Sequence, residues 1–216
     1  MKSFDVEKFP NLLDNINLTH ETIEESIKEY SLEFSSVRNQ QVEWKISFPM
    51  FATSFYKYIF FNHKIPTQKE FYDYYVSSNQ EFFTTRNFSE DIMVGLKARV
   101  YRTYPSLVRD IHFSKTLHDK LKDYKVIYNT KLDINEGIDV MIIKEDEYYG
   151  VNLFTNTTRA KSSRDKKSKR HSNFTNVNYI DLPVNFNGSL KCGDFFLYGE
   201  EEMTQLLNKM KSFSLI

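Results

Sequence analysis

The chain has 216 residues, its 29 Lys and Arg balance its 29 Asp and Glu, and 40% of it is apolar. That length and apolar content support a packed core and exclude a chain disordered throughout. Its six glycines form no phosphate-binding Gly-rich loop and no Gly-x-Ser-x-Gly turn occurs, which argues against nucleotide hydrolysis, a dinucleotide cofactor and serine-hydrolase chemistry.

Residues 1 to about 120 read as helical. Thr19, followed by Glu24 and Glu25 with Ile23, Ile27 and Tyr30 at helical spacing, predicts an amphipathic helix with an acidic start. An apolar stretch from Phe48 to Phe61 predicts a second helix. Pro66-Thr67 opens a third, with Glu70 in its first turn and Phe71, Tyr74 and Tyr75 on one face. Ser89-Glu90-Asp91 begins the next, continued by Ile92, Leu96, Arg99 and Val100. Pro105 is expected to interrupt that helix or to start a successor carrying Leu107, Val108, Ile111 and Leu117.

The pattern changes at Tyr124. KVIYNTKLDI alternates as a strand does, and Asn135-Glu136-Gly137 turns the chain into a second strand, IDVMIIK. EDEYYG is a turn and VNLFTNT a third strand. A basic connector follows, then strand VNYIDLPV, a turn at Asn187-Gly188, strand DFFLYG and a helix, EEEMTQLLNKMKSF, with acids first and lysines last. The reading is an α+β protein: a helical region over 1–89, then an α/β core over 90–216 with a small mixed sheet in the order α-β-β-β-(α)-β-β-α.

The zero net charge conceals an asymmetry. Arg159 to His171 holds seven Lys and Arg against one Asp, so the stretch carries about +6 and the remainder about −6. A concentrated cation run interleaved with hydroxyls suits a phosphate backbone, and makes Arg159, Lys161, Arg164, Lys166, Lys167, Lys169, Arg170 and His171 candidate nucleic-acid contacts. An exposed, solvated connector is the plainer alternative. Arg99, Arg102 and Arg109, near one helical face with Tyr101 and Tyr104 close by, form a second candidate contact group, or else pair with the acidic remainder. The other histidines, His20, His63, His112 and His118, show no metal-chelating spacing. The N-terminus has no apolar run of signal-peptide length and the Phe55–Phe61 cluster is broken by Lys57, so no membrane span is expected. The lone Cys192 fits a reducing, cytoplasmic setting.

Asp139 opens a strand between Ile138 and Val140. A carboxylate in such a place needs a partner, and a divalent cation at the sheet edge is one; a turn in which Asp139 caps its own backbone is another. From a helix through a three-strand meander, with Gly-x-Asp at the start of the second strand and a basic connector, strand and helix after it, residues 90 to 212 resemble the PD-(D/E)XK nuclease superfamily, the fold of many restriction endonucleases. The resemblance implies Mg²⁺-dependent phosphodiester hydrolysis of double-stranded DNA, with Asp139 as the metal ligand. The family's Glu-x-Lys position falls on Asn152-Leu153-Phe154, which brings neither the charge of Glu nor a Lys. Asn152 then remains as a weaker oxygen ligand, Asp133 or Asp110 would add a carboxylate, and Arg159 or Lys161 would supply the cation. The N-terminal helices would provide specificity or a homodimer face. Two other readings stay open: a non-catalytic nucleic-acid binder on a decayed site, and a protein-binding inhibitor or assembly module.

Overall fold

The computed structural model describes residues 2–155, 174–184, 186 and 189–213. Its N-terminal half is helical: α1 (His20–Lys28), α2 (Gln40–Trp44), α3 (Phe51–Asn62), α4 (Gln68–Ser78), α5 (Gln80–Arg86) and the long α6 (Glu90–Lys120). Capping explains several starts. Thr19 opens α1 and Thr67 opens α4, each through a reciprocal capping box, with Thr22 and Glu70 reaching back to the cap. Asn39 opens α2 by accepting from the Gln41 and Val42 amides.

α6 continues unbroken through Pro105, contrary to the break expected there. A proline has no N–H for the carbonyl four residues earlier, which is that of Tyr101. Gln68 on α4 answers this: its Nε2 donates to the Tyr101 oxygen at 3.0 Å. The defect is therefore satisfied from a neighbouring helix, and α4 is tied to α6 at the same point.

The second half builds a four-stranded sheet, β1 (Lys125–Ile127), β2 (Val140–Lys144), β3 (Glu147–Thr155) and β4 (Val177–Val184), in spatial order β1-β2-β3-β4. β1, β2 and β3 are antiparallel neighbours, and β4 runs parallel to β3. The first strand is shorter than expected: after Ile127 the chain leaves the sheet, and Leu132–Glu136 form a π-helical turn closed by Gly137 at φ 73°. β5 (Leu190–Cys192), which the sequence did not suggest, pairs with β6 (Phe195–Leu197) as a separate hairpin, and α7 (Glu200–Phe213) closes the described chain.

One face of the sheet presents Val140, Ile142, Tyr149, Val151, Ile180, Leu182 and Val184 to the helices, and one apolar cluster runs from Leu13 to Met210. Aromatic side chains make its centre: Phe55 packs edge-on against Phe71 at 5.1 Å between ring centroids and against Tyr104 at 6.0 Å. The other sheet face, through Met141, Val177 and partly buried Tyr148 and Tyr179, is covered by Phe4 and Phe9 of the N-terminal segment. None of the helices among the described residues is long and apolar enough to cross a membrane.

Candidate active site

The end of the sheet at which β2 begins and the parallel pair β3–β4 finishes gathers the polar groups of interest. Open sheets place ligands beyond the carboxyl ends of parallel strands, where side chains from several elements meet over an uncovered edge. Asp139 stands one residue before β2. Its amide donates to the Val151 carbonyl at 3.0 Å, and its Oδ2 accepts from the Leu153 amide at 2.7 Å. The carboxylate thus takes over the β3 ladder where β2 has no further backbone to offer, which fixes it against the sheet.

Val140 pairs with Val151, so Asp139 falls opposite Asn152 by one further step of that register, and Asn152 pairs in turn with Asp181 on β4. Asn152 Nδ2 donates to Asp181 Oδ1 at 3.2 Å. Asp139, Asn152 and Asp181 therefore follow one another across three adjacent strands. Asp181 had no signal of its own in an alternating strand; only the parallel pairing, across 29 residues, brings it to Asn152. Lys209 of α7 holds the Asp181 backbone oxygen at 2.6 Å.

Asp110 and Asp133 bear electrostatically on the same buried phenol as Asp139. The buried Tyr128 phenol is pushed well above its ordinary pKa by burial first, and then by the negative charges of Asp133, Asp110 and Asp139. Tyr198 is raised by burial too, with Asp110 the next cause and Asp139 also contributing. Three carboxylates contributed by α6, the π-helical turn and the head of β2 are thus felt at one phenol. Both phenols stay protonated, and the Tyr198 hydroxyl donates to the Phe154 carbonyl at 3.5 Å. The donors are hard oxygens, the set that Mg²⁺ prefers. In donor type these residues suit a divalent cation, but the group of three whose ligating atoms lie within 4.8 Å of one another among the described residues is His20, Glu21 and Asp119, not these acids.

The arginines proposed for nucleic acid have structural partners. Arg99 donates to the Val42 carbonyl and lies over the Phe51 ring, 5.6 Å from its centroid. Arg102 forms an ion pair with Glu43 and donates to the Val37 carbonyl at 2.5 Å. Both tether the 35–43 stretch to α6. The candidates Arg159, Lys161, Arg164, Lys166, Lys167, Lys169, Arg170 and His171 lie outside the described residues.

A second acidic group, His20, Glu21 and Asp119, is close enough to suggest a metal. His20 Nδ1 faces Asp119 Oδ2 at 2.9 Å while Nε2 faces Glu21 Oε1 at 3.2 Å. Opposite ring nitrogens face the two carboxylates, so the imidazole bridges them by hydrogen bonds. Asp119 is also about half a turn round α6 from Asp110, away from the sheet-end site.

Against models of known families, the chain matches the TaqI restriction endonuclease over residues 1–187. It belongs to that family. The match runs from the N-terminal segment through the helices, Asp110, Asp133, Asp139, Asn152 and Asp181, and stops before β5. Neither the curated proteins nor the solved structures provide a match. Membership in the TaqI endonuclease family agrees with the expected restriction-endonuclease-like fold, and it extends the likeness from residue 90 back to residue 1. Restriction endonucleases act on DNA and generally use a divalent metal, in keeping with the oxygen-rich end of this sheet.

Proposed function

We propose that the protein is a Mg²⁺-dependent endodeoxyribonuclease that cleaves double-stranded DNA at the β2–β3–β4 end of the sheet. The observation that supports this is the row Asp139, Asn152 and Asp181, carried by three neighbouring strands at the end of the sheet where the parallel pair β3–β4 finishes. Asp139 is the principal ligand, held in place by the Leu153 amide; Asp110 or Asp133 adds a second oxygen, and Asn152 a third. Asp181, hydrogen-bonded to Asn152, supplies the carboxylate that the Asn152 position itself lacks. A divalent ion, when bound, activates water and stabilises charge on the phosphate. Tyr128 and Tyr198 are kept protonated by burial and neighbouring acids, and the Tyr198 hydroxyl donates to the Phe154 carbonyl.

The basic stretch is joined directly to the end of β3: Thr155 is its last residue and Arg159 follows shortly. In this reading Arg159 or Lys161 neutralises the transition state, and Arg164 to His171 grip the duplex backbone. A homodimer would address both strands, in a cytoplasmic setting. Incubating duplex DNA with the protein and Mg²⁺ or Mn²⁺, beside the Asp139→Asn variant, tests the proposal. Metal-dependent strand cleavage by wild type alone is expected. Duplex binding with no cleavage under either metal rejects the nuclease and leaves the non-catalytic binder, which the absence of a Glu-x-Lys pair favours.

A further inference from the structure

The segment between α1 and α3 exposes what a soluble core would hide. Phe34 and Trp44, the only tryptophan, are each 76% exposed, and Val37 and Met50 are exposed with them. Large exposed aromatics grouped on one segment mark a contact surface. The segment is nevertheless fixed. Asn39 packs so close to α6 that a Cβ on Gly95 would lie 2.5 Å from the Asn39 Cβ. Arg99 and Arg102 clamp its backbone, and Val42 is fully buried against α6. Two residues beyond Val42 on a helix, Trp44 is about 200° round and so turned away from α6.

Within the segment itself the charge has one sign, although exposed acids flank it at Glu33 and, on α6 beside Asn39, at Asp91. From Phe34 to Met50 the only acid is Glu43, which is neutralised by Arg102, while Arg38 and Lys45 are exposed. Gln40 and Gln41 are exposed between them, and carry the paired donor and acceptor that read a base edge. The surface is also aligned with the active site. Arg99 and Asp110 are separated by about three turns of α6, so they lie on nearly the same stripe of the helix. Thr103 and Ser106, half-buried, fall between them on that stripe. The anchor points Gly95 to Arg102 are roughly 12–22 Å from Asp110 along the helix at ~1.5 Å per residue, a span of about four to six base pairs at ~3.4 Å each.

Building on the nuclease reading, we infer that Phe34–Lys45 is a DNA-contacting and sequence-reading element. Trp44 stacks on or wedges against the bases, Arg38 and Lys45 hold flanking phosphates, and Gln40 and Gln41 read base edges. Two independent readouts test it in the full chain. A labelled duplex is titrated with Ca²⁺ in place of Mg²⁺ and followed by anisotropy, while Trp44 is followed by its own fluorescence and by acrylamide quenching. The expected result is a fluorescence change that tracks the anisotropy, loss of acrylamide access on binding, and at least tenfold weaker binding for Trp44→Ala at unchanged thermal stability. Normal duplex binding with unchanged Trp44 emission and unchanged Trp44→Ala affinity overturns this inference and leaves the nuclease reading standing. Absence of duplex binding by wild type overturns both. A Trp44→Ala effect on self-association alone, with duplex affinity intact, also overturns it and assigns the patch to a second copy of the chain.

Discussion

On the proposed reading Asp139 combines two roles in one carboxylate, a tie to β3 and a metal ligand, and that makes the choice of substitution decisive. Its Oδ2 holds the Leu153 amide at 2.7 Å, so an alanine would remove both a β-ladder partner and the negative charge. Asparagine keeps an oxygen for Leu153 and removes only the charge. Asp139→Asn should therefore lower Mg²⁺-dependent cleavage by roughly a hundredfold or more, on the several kcal/mol that metal stabilisation contributes, with the melting temperature little changed. Cleavage rate and thermal melting measured on one preparation check it. A parallel loss of stability would assign Asp139 to the fold alone.

His112 gives a second prediction at this scale. It is 1% exposed on α6; Nε2 lies 2.8 Å from Glu24 Oε1, and Nδ1 is buried without a hydrogen-bond partner. Burial is the largest influence and lowers its pKa; Glu24 opposes this, while His20 and Lys120 add to it. A lowered folded-state pKa means that the unfolded chain takes the proton first as the pH falls. The contribution of His112 is thus full above its unfolded pKa of about 6.5 and diminishes as the pH drops from there towards the folded value. His112→Gln cannot bind that proton, so its melting temperature should fall less than that of wild type between pH 7 and pH 5.5. Equal declines would show that other groups govern the acid limb.

Among the elements, α6 shows why a local rule can mislead. Pro105 is a sound signal for a helix break, and the compensating donor, Gln68, is 37 residues earlier on another helix. Nothing in either local sequence announces the pairing. Gln68 is itself buried, and also exchanges hydrogen bonds with the Glu33 backbone at 2.7 and 3.1 Å. Gln68→Ala would leave the Tyr101 carbonyl buried and unmatched, a loss of about 1–3 kcal/mol. Adding Pro105→Ala restores an amide opposite that carbonyl, so the double variant should recover part of the loss. Denaturant unfolding of the two single variants and the double variant measures the coupling, and strict additivity would refute it.

The same contrast divides the rest of the fold. The helix starts at Thr19 and Thr67 and the strand at Val177–Val184 were legible because capping residues and alternation act over a few positions. β5, three residues with a polar centre, has no such signature and exists because β6 returns beside it. In the site, Gly-x-Asp drew attention to Asp139 within its own turn. Asp181 needed the parallel register, and the partners of Arg99 and Arg102 needed the fold of the 35–43 segment onto α6.

For the whole molecule, the consequence of charge segregation is a binding equilibrium governed by salt. The basic stretch of about +6 is set against a remainder of about −6, so on the proposed reading an anionic duplex is drawn most strongly to that stretch. Every phosphate neutralised releases counterions, and log K falls with log salt at a slope of about −0.9 per phosphate contacted on duplex DNA. Replacing Lys166, Lys167, Lys169 and Arg170 together with alanine should make that slope shallower by about 3.6 units if each contacts a phosphate, while Asp139→Asn leaves it nearly unchanged. The comparison separates grip from chemistry, because the first variant alters affinity as a function of salt and the second alters the rate of cleavage at saturating DNA. Duplex affinities between about 50 and 200 mM salt are the measurement. An unchanged slope in the four-alanine variant would remove the basic stretch from the interface and leave the folded body, including the Phe34–Lys45 surface, as the source of the phosphate contacts.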